Sequence, residues 1–371
     1  MKLTIALVPG DGIGPEIIKQ SKKVLEAVAH QFNHTFLLKN ALIGASAMEN
    51  GGSPLPQETI DICKTSDAVL FGAIGTKTYD NDPTVKVRPE QGLLDLRKAL
   101  GLYYSVRPVK VYDELLDKSP LKKEVIQGTD FVIFRELSSG IYYGEKQQDK
   151  DGSFASDVCH YTSKEIAQIA HKAFEVAQQR KKKLTLVDKA NVMESSRLWR
   201  KVVLEVGKNY PDVKTECIFI DSAAMEVITH PTHFDVILTE NLFGDILSSE
   251  ASVIGSSIGI SASASLGDKH AIFGPVHGSY SRAKGKSIAN PLASILSAAL
   301  LLEHFGLQAE ADVIHRAVKK SLALQITTAD IYKSANFSTA KVGDFIADFV
   351  YYPDDPNINF TNIHIGQSTI I

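Results

Sequence analysis

The residues best suited to chemistry stand where apolar runs stop. Asp245 follows the run 234–238 through Thr239, Glu240 and Asn241, and Ser249 comes four residues later, so on a helix the two side chains share a face. Asp221 ends a second apolar run, 217–220. Two carboxylates delivered from strand ends suit a hard divalent cation that keeps bound water, and strand ends are where α/β proteins place ligand-handling groups. A lone acid at a helix start also serves as a cap or offsets the helix dipole, so Asp245 by itself fits either role. Arg97 and Arg107 lie among Leu93, Leu94, Leu96, Leu100 and Leu102, and Arg135 follows the strand-like run 131–134. Surface pairing with acids is one use for such arginines. Holding a small polycarboxylate is another, because each planar fork matches a carboxylate. Lys189 follows the run 184–187 through Asp188 and fits a surface cation or a proton carrier.

The elements that must position these groups alternate. Residues 3–8 form a buried strand pattern, a glycine turn spans 9–14, and Pro15 opens a helix to 31. The turn has GxGxG spacing rather than GxGxxG, and no acid closes a second strand at the expected offset, which argues against an ordinary Rossmann domain. Further strands are expected at 68–71, 131–134, 184–187, 217–220 and 234–238, and helices at 162–180, 292–302, 309–324 and 341–351. This alternation predicts an α/β fold. The polar, glycine-bearing stretch 139–160 has the character of a protruding arm, and 352–371 alternates like a strand or an ordered tail.

At 371 residues and 44% hydrophobic, the chain can bury one or two cores, and about two domains are expected. A net charge of −3 gives no reason to expect nucleic acid or an anionic membrane as partner. Cys63, Cys159 and Cys217 lack metal-site spacing and suit a reducing compartment. The N-terminal apolar run is too short for a signal peptide or a membrane span, so a cytoplasmic protein is expected.

Nine motifs occur in order: GDGIGPE at 10–16, RPEQGLLDLRK at 88–98, RPV at 107–109, REL and GIYYGE across 135–145, VDKANV at 187–192, NLFGDILS at 241–248, SASLG at 263–267, PVHGS at 275–279 and IANP at 288–291. Together they resemble the isocitrate/isopropylmalate family of β-decarboxylating dehydrogenases, over all but the tail after about Asp354. The resemblance is to the branch that acts on isopropylmalate. It implies a two-domain α/β fold with a dimerisation arm near 139–160. One domain would combine 1–102 with 256–371 on the cofactor side, and 103–255 would carry dimerisation, metal and substrate. It further implies oxidative decarboxylation of an isopropyl-substituted malate to 4-methyl-2-oxopentanoate with reduction of NAD, in leucine biosynthesis. Relatives acting on tartrate, ethylmalate or homoisocitrate, and a binding paralogue with reduced chemistry, are the alternatives.

Carried over by motif, Arg97, Arg107 and Arg135 would hold the malate carboxylates. Tyr142 and Lys189 would be the proton-transfer pair. Asp221 and Asp245 would bind Mg²⁺ or Mn²⁺, with Lys189 and Asp221 supplied by the partner of a homodimer with shared active sites; Asp221 would also touch substrate. Leu93 and Leu94 would contact the isopropyl group, whose burial is worth about 1.5–3 kcal/mol. Glu90 and Asn191 would lie near the nicotinamide ribose, and His277, Gly278, Ser279 and Asn290 around the adenosine. Three positions depart from the family pattern. Ser249 stands where a third aspartate is usual, which predicts weaker metal binding. Gly274 replaces a glutamate before PVHGS. Arg282 stands where NAD-preferring members carry an aspartate, so it would either pair with a 2′-phosphate, as for NADP, or face solvent.

Overall fold

The computed structural model describes residues 1–80, 87–335 and 337–353; the tail expected to alternate therefore lies, from residue 354, outside the described residues. The described strands are β1 (Lys2–Gly10), β2 (Thr35–Asn40), β3 (Ala68–Ala73), β4 (Leu102–Lys110), β5 (Asp130–Glu136), β6 (Lys146–Gln148), β7 (Ala155–Asp157), β8 (Lys183–Asp188), β9 (Lys214–Phe219), β10 (Val236–Thr239), β11 (Ala262–Gly267) and β12 (Ala271–Pro275). The chain divides into two compact units. One comprises Met1–Leu100, Ser256–Ala264 and Asp268–Ile371, and the other Gly101–Gly255 with Ser265–Gly267.

In the first unit β2, β1, β3 and β12 lie side by side and parallel. Every residue of β3 is buried, as expected of a central parallel strand covered on both faces. The helix Gly14–Gln31 buries Ile17, Ile18, Val24, Leu25 and Val28, the apolar positions that its 3.6-residue period selects. Gly12 in the preceding turn has φ +57°, and a Cβ there would stand 2.1 Å from the Ser279 carbonyl oxygen. The glycine turn is thus a close backbone crossing.

In the second unit the order is β4, β5, β10, β8, β9, with β4 antiparallel to β5 and the other pairs parallel. Alternate residues of its strands feed two cores. Val132, Phe134, Leu184, Leu186, Val236 and Leu238 pack with Phe174 and Trp199 of the helices Ser163–Gln179 and Glu194–Gly207. Phe131, Ile133, Val187 and Ile237 pack with Ala223 and Leu247 of the helices Ile220–Thr229 and Asn241–Ile254. This is the period-2 geometry of strands, and it directs Arg135, two residues after Ile133, towards the second core's face.

One expectation changes. The run 217–220 is not all strand: β9 ends at Phe219, and Ile220 opens a helix with Asp221 in its first turn. The apolar run continues through the junction because Ile218 and Ile220 both pack against the second core. Within 139–160, β6 and β7 form an exposed antiparallel ribbon with Lys146 opposite Asp157. No helix among the described residues is long and apolar enough to cross a membrane.

Gly244, inside the helix Asn241–Ile254, shows how tightly this helix meets β5. A Cβ there would lie 2.7 Å from both Cβ and Cγ of Arg135 and 3.0 Å from Cγ2 of Thr239. Alanine would raise helix propensity by about 1 kcal/mol, but overpacking costs roughly 1–3 kcal/mol. Gly244→Ala is therefore expected to lower the urea-unfolding free energy; a stabilised variant would contradict the close packing.

Candidate active site

The C-terminal ends of the second unit's parallel strands lie level. Thr239 of β10 pairs with both Arg135 of β5 and Val187 of β8, and Asp188 pairs with Phe219 of β9. The next residues, Glu136, Asn241, Lys189 and Asp221, therefore emerge along one edge. On β4, Ser105 opposes Arg135 and Arg107 opposes Ile133, so the two arginines are diagonal neighbours on one face.

Both arginines are buried and both reach Asp245. Arg107 is 7% and Arg135 3% exposed, while the Asp245 side chain keeps 38% of its surface open. Arg107 Nη1 donates to Asp245 Oδ1 at 3.3 Å and to the Ser248 hydroxyl, and Arg135 Nη1 donates to the same Asp245 oxygen. Burial opposes the charge of Asp245, yet Arg135 and then Arg107 hold its carboxyl below the usual range. The cluster carries two guanidinium charges against one carboxylate. Such an arrangement carries a net positive charge and attracts anions.

Tyr142 joins this cluster from the turn after β5. Its hydroxyl donates to Asp245 Oδ2 at 3.1 Å, and the Arg135 guanidinium lies 5.5 Å from its ring centre. Burial first, and then the Asp245 charge, raise the phenol above its ordinary pKa, so it holds its proton at neutral pH. The turn is fixed by Glu136, whose carboxylate accepts the N–H groups of Ser138 at 2.6 Å and Ser139 at 3.1 Å. Gly140 (φ +79°) passes against the Tyr161 hydroxyl, 2.1 Å from where its Cβ would be.

Lys189 and Asp221 form a second group. Lys189 Nζ donates to Asp221 Oδ1 at 2.5 Å, and that hydrogen bond, first among the causes, lowers the carboxyl pKa of Asp221. The backbone beneath Lys189 is anchored by buried Asp188, which accepts both Nε and Nη2 of Arg200 at 2.8 Å. Asn191 is exposed, its carbonyl accepting from Arg197 at 3.5 Å. Within this chain Asp221 is paired with Lys189, and Asp245 with the arginines. No three acidic, histidine or cysteine side chains among the described residues converge as a metal cage. The oxygen donors of Asp245 and Asp221 nevertheless fit Mg²⁺ or Mn²⁺, which take one or two carboxylates and complete their shell with water and substrate. Ser249 is exposed, and its hydroxyl donates to the Asp245 carbonyl at 3.0 Å.

The other sequence-selected residues stand in the first unit. Glu90, Leu93, Leu94 and Arg97 fall on one flank of the helix Pro89–Ala99, all half-buried, between the buried Pro89, Gly92 and Leu96 and the exposed Gln91, Asp95 and Lys98. Glu90 also lines a cleft of about 510 Å³ with Gly75, Lys77, Gly278, Ser279 and Arg282. That volume is typical of small-molecule sites, and exposed Gly278 has open space where a Cβ would stand. The cleft walls are stitched by the glycine turn. Buried Asp11 accepts the N–H groups of Ala45, Ser46 and Gly75 at 3.0, 2.8 and 2.9 Å, and Ile13 N–H donates to the Ser279 carbonyl at 2.9 Å. His277 Nδ1 meets the Gly278 carbonyl at 2.9 Å, and burial lowers its imidazole pKa, which favours the neutral ring. Asn290, one residue before the cap of the helix Leu292–His304, accepts the Leu292 N–H at 3.0 Å and donates to Asp330 at 3.0 Å. Gly274 is buried on β12; a Cβ there would lie 2.7 Å from the Phe71 carbonyl oxygen, so a longer side chain is excluded without a shift.

Sequence reasoning gave no role to Asn241, Ser248, Glu136 or Glu240. Asn241 and Ser248 touch the arginines directly. Both lie inside NLFGDILS, and the signal that could have found them is helical spacing, since 241, 245 and 248 share a face.

The family described as isocitrate/isopropylmalate dehydrogenase matches residues 4–346. The 3-isopropylmalate dehydrogenase of Bacteroides fragilis is 48% identical over 352 residues, 94% of this chain and 99% of that protein. That of Aquifex aeolicus is 50% identical over 335 residues, 89% of this chain and 92% of its own length. Among solved structures, an isocitrate dehydrogenase from Methylococcus capsulatus superposes with a TM-score of 0.84 at 32% identity, covering 94% of this chain and 99% of the other. A β-decarboxylating dehydrogenase from Thermococcus kodakarensis, in its apo form, gives 0.75 at 35% identity over 94% and 96%.

Two buried acids next to the site predict a pH effect on stability. Burial pushes Glu136 up to about 7 against hydrogen bonds from Ser138 and Ser139, and pushes Glu240 up to about 7 against one from Ser196. The folded protein then keeps protons that the unfolded chain releases near 4.5. Their stabilising contribution is complete below that value and is lost as pH rises through about 7. Urea midpoints between about pH 5 and about pH 8 are expected to fall less steeply in Glu240→Gln than in the wild type. Equal slopes would place no titrating carboxyl there.

Proposed function

The chain belongs to the isocitrate/isopropylmalate dehydrogenase family, and from that premise we propose that it oxidises and decarboxylates 3-isopropylmalate to 4-methyl-2-oxopentanoate with NAD, in leucine biosynthesis. The observation that carries this reading is the convergence of Arg107, Arg135 and Tyr142 on Asp245. Two buried cations facing one acid suit a dicarboxylate. By the family resemblance Arg97 would add a third guanidinium, and Leu93 and Leu94, half-buried in the first unit, would seat the isopropyl group.

Asp245, with Asp221, would hold Mg²⁺ or Mn²⁺, which when bound supplies a Lewis acid for the C2 oxygen. Glu90, Asn191, His277, Gly278, Ser279 and Asn290 would hold the dinucleotide that accepts the C2 hydride. The Lys189–Asp221 pair would take up the proton of the C2 hydroxyl as the hydride leaves. The arginines keep the carboxylates in place while the bond to the β-carboxyl breaks and its electron pair passes into the enolate of the product. Carbon dioxide leaves as that bond breaks, and Tyr142 would then supply the proton that C3 takes up.

Lys189 and Asp221 act in a second copy's site in this reading, so the unit is a homodimer with shared active sites. Met225, Ile246 and Val253, exposed at 64%, 54% and 44% on the helices Ile220–Thr229 and Asn241–Ile254, support that partner, as does the β6–β7 ribbon. Exposed apolar side chains grouped on packed helices are the signature of an interface. The role of a cytoplasmic biosynthetic enzyme, working on small molecules without nucleic acid or membrane, follows from the same reading. A second reading of the cofactor, NADP, is favoured by Lys77 and exposed Arg282, two cations lining one cleft.

Initial rates with 3-isopropylmalate, isocitrate and tartrate, each with NAD and NADP under titrated Mn²⁺, test the assignment. The highest kcat/KM is expected for 3-isopropylmalate with NAD. Efficient isocitrate or tartrate turnover would overturn the role of Leu93 and Leu94, and an NADP preference would select the second cofactor reading. In sedimentation, Ile246→Asp is expected to convert dimer to monomer; an unchanged dimer places the interface elsewhere.

A further inference from the structure

Asn241 is 1% exposed and spends its amide on two neighbours. Its Oδ1 accepts Nε of Arg135 at 3.1 Å and Nη2 at 2.8 Å, while its Nδ2 donates to the Ser139 carbonyl at 2.9 Å. Only this amide orientation satisfies both sides, since a guanidinium can only donate and a carbonyl can only accept. Its backbone N–H donates to the Tyr161 hydroxyl at 3.0 Å.

Two consequences follow. One edge of the rigid Arg135 fork is held, so the remaining nitrogen, Nη1, is aimed at Asp245. Ser139 is tied to the start of the helix Asn241–Ile254, and with it the turn that carries Tyr142 to Asp245. A carboxylate at position 241 would grip the fork more strongly, but it would cancel one of the two guanidinium charges. A neutral amide orients the arginine and leaves its charge available.

We propose that Asn241 is a positioning residue that fixes Arg135 and the Tyr142 turn while preserving the positive excess that selects a doubly charged substrate. The inference rests on the dicarboxylate reading of this site. Asn241→Asp keeps the grip on Arg135 but removes both the charge excess and the donor to Ser139; Asn241→Leu keeps the excess and removes the grip and that donor alike. Both variants are expected to lower kcat by releasing the Tyr142 turn, but only Asn241→Asp is expected to raise the KM for 3-isopropylmalate about tenfold or more. The KM for the dinucleotide is expected to change less than about twofold in both. Two folded variants with the same KM and kcat, or a KM unchanged in Asn241→Asp, would overturn the inference.

Arg135→Lys, which lacks a fork, covers the case in which either variant fails to fold. In that background Asn241→Ser is expected to add little to the loss, and full additivity of the two substitutions would overturn the coupling. Malonate binding by calorimetry reads the charge balance without turnover. Wild-type binding that Asn241→Asp weakens about tenfold supports the inference even if 3-isopropylmalate proves the wrong substrate. Equal malonate affinity in the two proteins, or no binding to the wild type, overturns it.

Discussion

One carboxylate between two buried guanidinium groups organises the second unit. Asp245 would be costly without Arg107 and Arg135, because burial alone raises a carboxyl pKa, and the arginines would be costly without an acceptor. Satisfying the three together fixes geometry upstream. The β4–β5 register must put Arg107 and Arg135 on one face, Gly244 must bring its helix against β5, and the Glu136-anchored turn must deliver Tyr142. The balance is deliberately uneven in charge, and that unevenness is what a dicarboxylate can use.

Much of this was legible in the sequence because apolar runs mark buried parallel strands. The runs 131–134, 184–187 and 234–238 became β5, β8 and β10, and the charged residues after them lie along one edge. Asp245 reads from the sequence as a helix cap or a site residue, and only the fold shows its distant partners, Arg107, Arg135 and Tyr142. What was not legible depends on contacts between residues far apart in the chain. Asn241 is 106 residues from Arg135, and nothing local distinguishes an asparagine that caps a helix from one that grips an arginine. Glu136 and Glu240 read as ordinary acids beside strand ends, yet the fold buries both beside Tyr161. The 217–220 run misled because period-2 and helical burial cannot be separated over four apolar residues.

The glycine turn at 10–14 is a different lesson. Its resemblance to a phosphate-binding fingerprint is spacing without the matching strand chemistry, and the fold uses it to join cleft walls: Asp11 holds the Gly75 side and Ile13 the Ser279 side. Departures from the family pattern also acquire physical content here. Gly274 is imposed by the nearby Phe71 carbonyl, whereas Arg282 lies exposed on the cleft and Ser249 turns its hydroxyl back to its own helix. The first is packing; the other two change the charge of exposed positions.

The account stands on Asp245 serving both the arginines and a divalent cation. Electron paramagnetic resonance of Mn²⁺ titrated into wild-type and Asp245→Asn protein, with malonate present, measures this directly. The account predicts that the variant stays folded and loses Mn²⁺ affinity by about tenfold or more, because a neutral amide is a poor ligand for a hard cation. Unchanged Mn²⁺ affinity in a folded Asp245→Asn protein would contradict it.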